Sequence, residues 1–205
     1  MSRVHVLRHG HVHNPDGVLY GRLPEFRLSE TGERMAQAVA DHLLATGAQV
    51  GRVIASPLLR AQQTAAPVAA AYGLEIVTED RVIEADNAFA GGPTPSPRTL
   101  LHPRNWWLLR NPWKPSWGEP YKEQAARMRA AIIDAAAANP GSETVMVSHQ
   151  LPIWVARCSA EGRSYLHDPR SRECALASLT TFEVDGDAIR FAGYQAPAAH
   201  IEVPR

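Results

Sequence analysis

The stretch VHVLRHGHVH, residues 4–13, opens as a short β-branched strand and stops on Arg8-His9-Gly10. Four histidines fall in its ten positions: His5, His9, His11 and His13. Three of them alternate. Alternating histidines after a strand suit a metal cluster, completed here by His149 and Asp86. A neutral imidazole beside an arginine suits direct attack on an electrophile. The same pattern recurs along the chain: RVIAS (52–56) runs into SPLLRAQQT (56–64), and ETVMVS (143–148) stops at His149 in VSHQLPI (147–153).

Between these strand ends the periodicity is helical. Ser29 is placed to cap a helix to about Thr46, with Gly47 as its stop. Pro57 suits the first turn of a second helix running to Tyr72, which Pro67 should kink or weaken. LEIVTED (74–80) reads as a strand, residues 119–138 as an alanine-rich helix, and 176–195 as a hairpin turning on Asp185-Gly186. Strands alternating with helices imply an α/β domain, a mainly parallel sheet with helices on both faces. Residues 87–118 stand apart. They are rich in proline and glycine and hold Trp106, Trp107, Trp113 and Trp117, so they read as an ordered lid with one or two tryptophans toward a ligand.

Apolar residues make up 45% of the 205 and charged residues 20%, the composition of one ordinary globular domain, 1–205. Basic and acidic side chains balance at 21 each, so no long-range field draws the chain to nucleic acid or an anionic membrane. No segment reads as a signal peptide or membrane span. Cys158 and Cys174 lack metal-type spacing and read as small buried residues, which makes a reducing cytoplasm the expected compartment. Oligomeric state is not legible here.

Ligands of open α/β sheets collect beyond the carboxyl ends of the strands. Those ends supply Arg8, His9, Arg60 and His149, with Glu84 in RVIEADN (81–87) as a carboxyl candidate. The set suits a phosphate monoester. Guanidinium groups hold phosphoryl oxygens with charge-assisted hydrogen bonds. A histidine can take the phosphoryl group, and a carboxylic acid can protonate the departing oxygen. A metal cluster at His9-x-His11-x-His13 would leave Arg8, Arg60 and the whole SPLLRAQQT context unexplained.

LRHGHVHN (7–14), SPLLRAQQT and VSHQLPI resemble, in order and at the right strand ends, the three signatures of the histidine phosphatase superfamily. YGRLPEFRLSETG (20–32) and CALASLTTFEVDG (174–186) are similar to further segments of that phosphoglycerate mutase-like family. The resemblance implies a three-layer α/β/α sandwich and phosphatase chemistry without a metal or other cofactor. It makes His9 the phosphorylated nucleophile, Arg8, Asn14, Arg60 and His149 the phosphate pocket, and Glu84 the proton donor. The implied partner is a small phosphorylated substrate or inorganic phosphate. His11-Val12 after R-H-G, and Gly118-Glu119-Pro120-Tyr121, depart from the family's usual residues where it meets its substrate. A mutase is the alternative activity, although its carboxylate-bearing substrate would call for more fixed cations than Arg98, Arg104, Arg110 and Lys114 offer. A non-catalytic phospho-ligand binder is the third reading.

Overall fold

A computed structural model of the chain describes residues 1–88, 90–92 and 118–204. Its six strands are β1 (Ser2–Arg8), β2 (Val50–Ala55), β3 (Ile76–Thr78), β4 (Glu143–Ser148), β5 (Leu179–Asp185) and β6 (Ala188–Gln195). Four helices are described: α1 (Glu30–Ala45), α2 (Leu59–Tyr72), α3 (Tyr121–Ala137) and α4 (Gln150–Ala160). The sheet order is β3-β2-β4-β1-β5-β6. β1 to β4 run parallel, and the β5–β6 hairpin adds two antiparallel strands at one edge.

Alternation along the central strands builds two cores. Leu7, Val53, Ala55, Val145 and Val147 pack with Met35, Val39, Ala65 and Val68 of α1 and α2. Val4, Val6, Ile54 and Met146 pack with Met128, Ile132 and Ile153 of α3 and α4. Side chains on one strand point to opposite faces, so the strands serve both cores and the molecule has three layers. Each buried Val, Leu or Ile contributes roughly 1.5–3 kcal/mol toward offsetting chain entropy.

Local signals explain most element ends. The Ser29 side chain caps α1 by accepting from Gly32 N at 3.1 Å, and Gly47 follows the helix at φ 70°. Gly186, at φ 56°, makes the hairpin turn. Two expectations shift. Pro57 lies ahead of α2 rather than in its first turn, because Leu58 is the cap. As expected α2 runs to Tyr72 with Pro67 inside it, its buried Val68 and Ala69 packed on the core. β3 shrinks to three residues, since Glu79 turns back to accept from Arg81 N and starts a 3₁₀ turn over Asp80–Val82. The structure adds α4 directly after His149, with Pro152 in its first turn, where a missing N–H costs nothing.

The register decides where the chemistry collects. Arg8 lies beside Ser148 and Ala55 beside Val147, so β1, β2 and β4 end at one level. Trp106, Trp107, Trp113 and Trp117, expected in a lid, lie outside the described residues. At the two ends of that insertion, Leu19 N donates to Gly92 O (2.8 Å) and Asn87 bridges to Gly118.

Candidate active site

Three sequence motifs interlock through hydrogen bonds at this level. His9 N donates to Ser148 O (3.1 Å), tying the first motif to the third. Gly10 N donates to Thr64 Oγ1 (3.1 Å), and Thr64 donates to Arg60 O one turn back (2.7 Å), tying the first to the second. His149 Nε2 and Ser56 Oγ share a hydrogen bond of 2.8 Å, tying the third to the second. Gly10 also lies against Gly32 at the start of α1. A Cβ on Gly10 would stand 2.6 Å from Gly32 O, so only glycine permits this approach. Ala177 N donates to His9 O (3.4 Å) from a left-handed conformation, φ 51°, uncommon for alanine.

His9 is almost wholly buried, and its Nδ1 donates to Gly10 O at 2.8 Å. A carbonyl only accepts, so Nδ1 carries the hydrogen and the Nε2 lone pair is left open. Burial, then Arg60 and Arg8, hold the pKa of His9 well below its ordinary value. The ring is therefore neutral at pH 7. His149 lies against it, ring centroids 5.2 Å apart, and is held neutral by its own burial and then by His9 and the arginines.

The other expected residues are placed as follows. Arg8 lines the same cleft as His9, and its NH1 donates to Cys174 O (2.6 Å). Arg60 is fully buried behind Tyr20, whose ring centroid is 4.7 Å from the guanidinium carbon, and donates to Gly21 O (2.6 Å) and Leu23 O (3.3 Å). Arg60 and His149 are fully buried and do not line the cleft, although the charge of Arg60 and the ring of His149 both bear on His9. Among the described residues nothing partners Arg8 Nε, Arg60 Nε or His149 Nδ1. Asn14 lines the cleft, but its amide closes a turn: Nδ2 donates to Val18 O and Oδ1 accepts from Val18 N. One Nδ2 hydrogen remains for any ligand.

Glu84 shares the cleft with His9. Burial pushes its carboxyl pKa up, against the Ala85 N–H it accepts from (2.8 Å) and the nearby arginines. Its backbone is clamped: Arg22 Nε donates to Glu84 O (2.7 Å) while Arg22 NH2 meets Glu119 Oε2 (3.0 Å). Glu119 also takes two bonds from Arg127, whose NH1 reaches Arg81 O in the turn leading to Glu84.

The cleft holds about 340 Å³, near the small end of the usual range for small-molecule sites. Sequence reasoning missed several of its residues, Tyr20, Gln124, Gln150 and Arg172, whereas Glu119 and Tyr121 fall in the 118–121 stretch it placed where the family meets its substrate. Tyr20 had a signal, since it opens a quoted motif. Arg172 had none, because its neighbours in RSREC carry no recognisable pattern. Gln124 is buried with Nε2 donating to Glu119 O (2.8 Å), which orients an unpartnered Oε1.

His5 is the buried, bonded residue expected, between Thr181 (2.9 Å) and Glu143 (3.1 Å). His11 turns its Nδ1 to Ser29 Oγ (2.7 Å), and His13 is exposed. Among the described residues no three His, Cys, Asp or Glu side chains form a group that could hold a metal ion. Cys158 and Cys174 are free and buried, and burial raises the Cys174 thiol to about 11. No described helix is long and apolar enough to cross a membrane.

Known proteins share this architecture and sequence. The chain is 51% identical over 199 residues to the uncharacterized protein Rv0525 of Mycobacterium tuberculosis (strain ATCC 25618 / H37Rv), covering 97% of this chain and 98% of that one. It is 29% identical to phosphoserine phosphatase 1 of Hydrogenobacter thermophilus over 79% of this chain and 77% of that protein. It is 28% identical to a probable phosphoglycerate mutase, GpmB, of Yersinia enterocolitica over 100% and 97%. The structure of mycobacterial glucosyl-3-phosphoglycerate phosphatase Rv2419c superposes with a TM-score of 0.74 at 26% identity, covering 93% of this chain and 96% of that one. The profile of the histidine phosphatase superfamily (branch 1) matches residues 4–197, and the chain belongs to that family.

Proposed function

We propose that the chain is a phosphomonoester hydrolase that works through a phosphohistidine on His9, without a metal ion. One observation carries this reading: a buried neutral imidazole, fixed with Nε2 open, sits among cations whose Arg8 Nε and Arg60 Nε lack partners. A buried charged donor left unpaired costs free energy, and phosphoryl oxygens would satisfy it.

In the first step His9 Nε2 attacks phosphorus, the bond to the alcohol oxygen breaks, and Glu84 gives that oxygen its proton. In the second, water attacks phosphorus as Glu84 takes the water's proton. The N–P bond breaks, and inorganic phosphate leaves. Arg8 and Arg60 stabilise charge on the equatorial oxygens. With Ser56 donating to His149 Nε2, Nδ1 of His149 carries a hydrogen for the same group. The acid must be protonated and the nucleophile neutral. Burial raises the pKa of Glu84 and lowers that of His9, so the active range extends from mildly acidic toward neutral pH.

The relatives named as phosphatases support hydrolysis. The relative named as a probable phosphoglycerate mutase keeps phosphoryl transfer as the alternative. The test is turnover of an aryl phosphate with and without a chelator. Alcohol and free phosphate should appear one to one, unaffected by chelation, and His9→Ala should lose about 10³-fold or more in kcat. Substantial turnover by His9→Ala removes the nucleophile assignment. Chelator sensitivity removes the metal-free chemistry, and an isomerised phosphoglycerate in place of free phosphate makes the enzyme a mutase. No turnover at all leaves a binding protein.

A further inference from the structure

We propose that Arg172 forms a second anion subsite in this cleft, selecting phosphomonoesters whose alcohol carries a further carboxylate or phosphate. The inference rests on the reading of the site given above and names its substrate class.

Arg172 follows the 3₁₀ turn Pro169–Ser171 and lines the same cleft as Arg8 and His9. Its guanidinium is fixed but not neutralised. Nε donates to His167 Nε2 (2.7 Å), which must therefore carry the lone pair, while His167 Nδ1 donates to Tyr165 O (2.6 Å). NH1 points to Gln150 Oε1 at 3.5 Å, at the limit of a hydrogen bond. No carboxylate among the described residues lies within ion-pair distance of Arg172. Carboxylates are at hand in this part of the chain, but they go elsewhere: the adjacent Glu173 pairs with Arg157 (2.7 Å), and Glu161 pairs with Arg163 (2.9 Å). Burial accordingly holds the pKa of Arg172 below its ordinary value.

The charges in the cleft explain what this cation is for. A phosphoryl dianion is matched by Arg8 and Arg60. Of the carboxylates lining the cleft, Glu119 is bound by Arg22 and Arg127, and Glu84 is uncharged when it serves as acid. Asp86 is exposed at the rim, accepting from Asn87 N (3.0 Å). Beyond Arg8 and Arg60, Arg172 is a cation of this site without a carboxylate partner among the described residues, and a preorganised guanidinium fork favours a carboxylate or phosphate. The locking partners His167 and Gln150 lie on the chain following His149, whereas Arg8 is held by Cys174 O. The two guanidinium groups thus have different partners, although their anchoring segments are joined, Cys174 N donating to Arg172 O (2.9 Å).

Binding, rather than turnover, tests the subsite. Dissociation constants would be measured by calorimetry for phosphonoacetate, its one-carbon-longer homologue and the neutral amide of each. Methylenediphosphonate would distinguish a second phosphate from a carboxylate. Wild type should bind an acid at least about tenfold more tightly than its amide, the size of one charge-assisted hydrogen bond. Arg172→Gln should bring that ratio near one, and Arg172→Lys should retain part of it. Equal affinity of wild type for acid and amide overturns the subsite, as does an equal loss of both ligands in Arg172→Gln, which would put Arg172 on the phosphoryl group. If Arg172→Gln does not fold, the wild-type ratio and Arg172→Lys decide. A protein that prefers the acids but hydrolyses no ester retains the subsite and loses the proposed reaction.

Discussion

Arg8, Arg60 and Arg172 have no carboxylate within ion-pair distance among the described residues, whereas Arg22 and Arg127, around the same cleft, share Glu119 at 2.6–3.0 Å. The two sets differ in counter-ion and in burial: Arg60 is fully buried and Arg8 and Arg172 partly so, whereas Arg22 keeps 38% of its side chain exposed and Arg127 16%. Desolvating an unpaired guanidinium is costly, so a fold that keeps three of them together gives up stability there. Both sets also donate to backbone: Arg22 to Glu84 O, Arg127 to Arg81 O, Arg8 to Cys174 O, and Arg60 to Gly21 O and Leu23 O. Of these four, only Arg8 and Arg60 keep a buried Nε without a partner among the described residues. On the proposed reading the first set receives an anion, while the second holds the Glu84 loop in place.

That contrast can be broken experimentally. The largest effect belongs to the unpaired set. Arg8→Ala should lower kcat/KM on an aryl phosphate by about 10²–10³-fold, the size of one preorganised oxyanion donor, with little change in melting temperature. A large fall in melting temperature with modest kinetic loss would place Arg8 with the structural arginines. Arg127→Ala should do the reverse. It leaves Glu119 short of two hydrogen bonds, so unfolding measurements should show a loss of about 3 kcal/mol. Unchanged stability would mean that Arg22 alone satisfies Glu119.

The smallest effect is in pH dependence. His9 and His149 have folded-state pKa values well below 6.5, so the unfolded chain binds protons that the folded one refuses. Their contribution to stability is intact above about pH 6.5 and is lost as pH falls from there toward the folded values. Glu84, raised by burial, acts in the opposite sense above its unfolded value. In the ion-paired wall, Glu79 is lowered chiefly by its hydrogen bond to Arg81, so its contribution is lost only below about pH 4.5. Denaturant titrations between pH 7 and 5 should therefore show a steeper loss in wild type than in His149→Asn. Identical slopes would mean that His149 titrates normally in the folded state.

Much of the site was legible as residue types at strand ends. Arg8, His9 and His149 stand where the ends of β1 and β4 put them, and Arg60 lies in the first turn of α2, because strand and helix periodicity is local. Asn14 shows the limit of such reading, since its residue type suits a phosphate contact, yet the loop uses its amide to close on Val18.

By itself the sequence determined which strands end in chemical side chains, the family, and the adjacency of Arg8 and His9 in one motif. Each of these is written in contiguous residues. Only the tertiary structure decided that Nδ1 of His9 is the protonated nitrogen, that Tyr20 covers Arg60, and that Arg172 faces the cleft while Glu119 ties Arg22 to Arg127. The reason is physical: a side chain's partners and burial are set by segments far away in the chain, 97 positions between Arg22 and Glu119 and 166 between Arg8 and Cys174. Such contacts leave no local pattern to read.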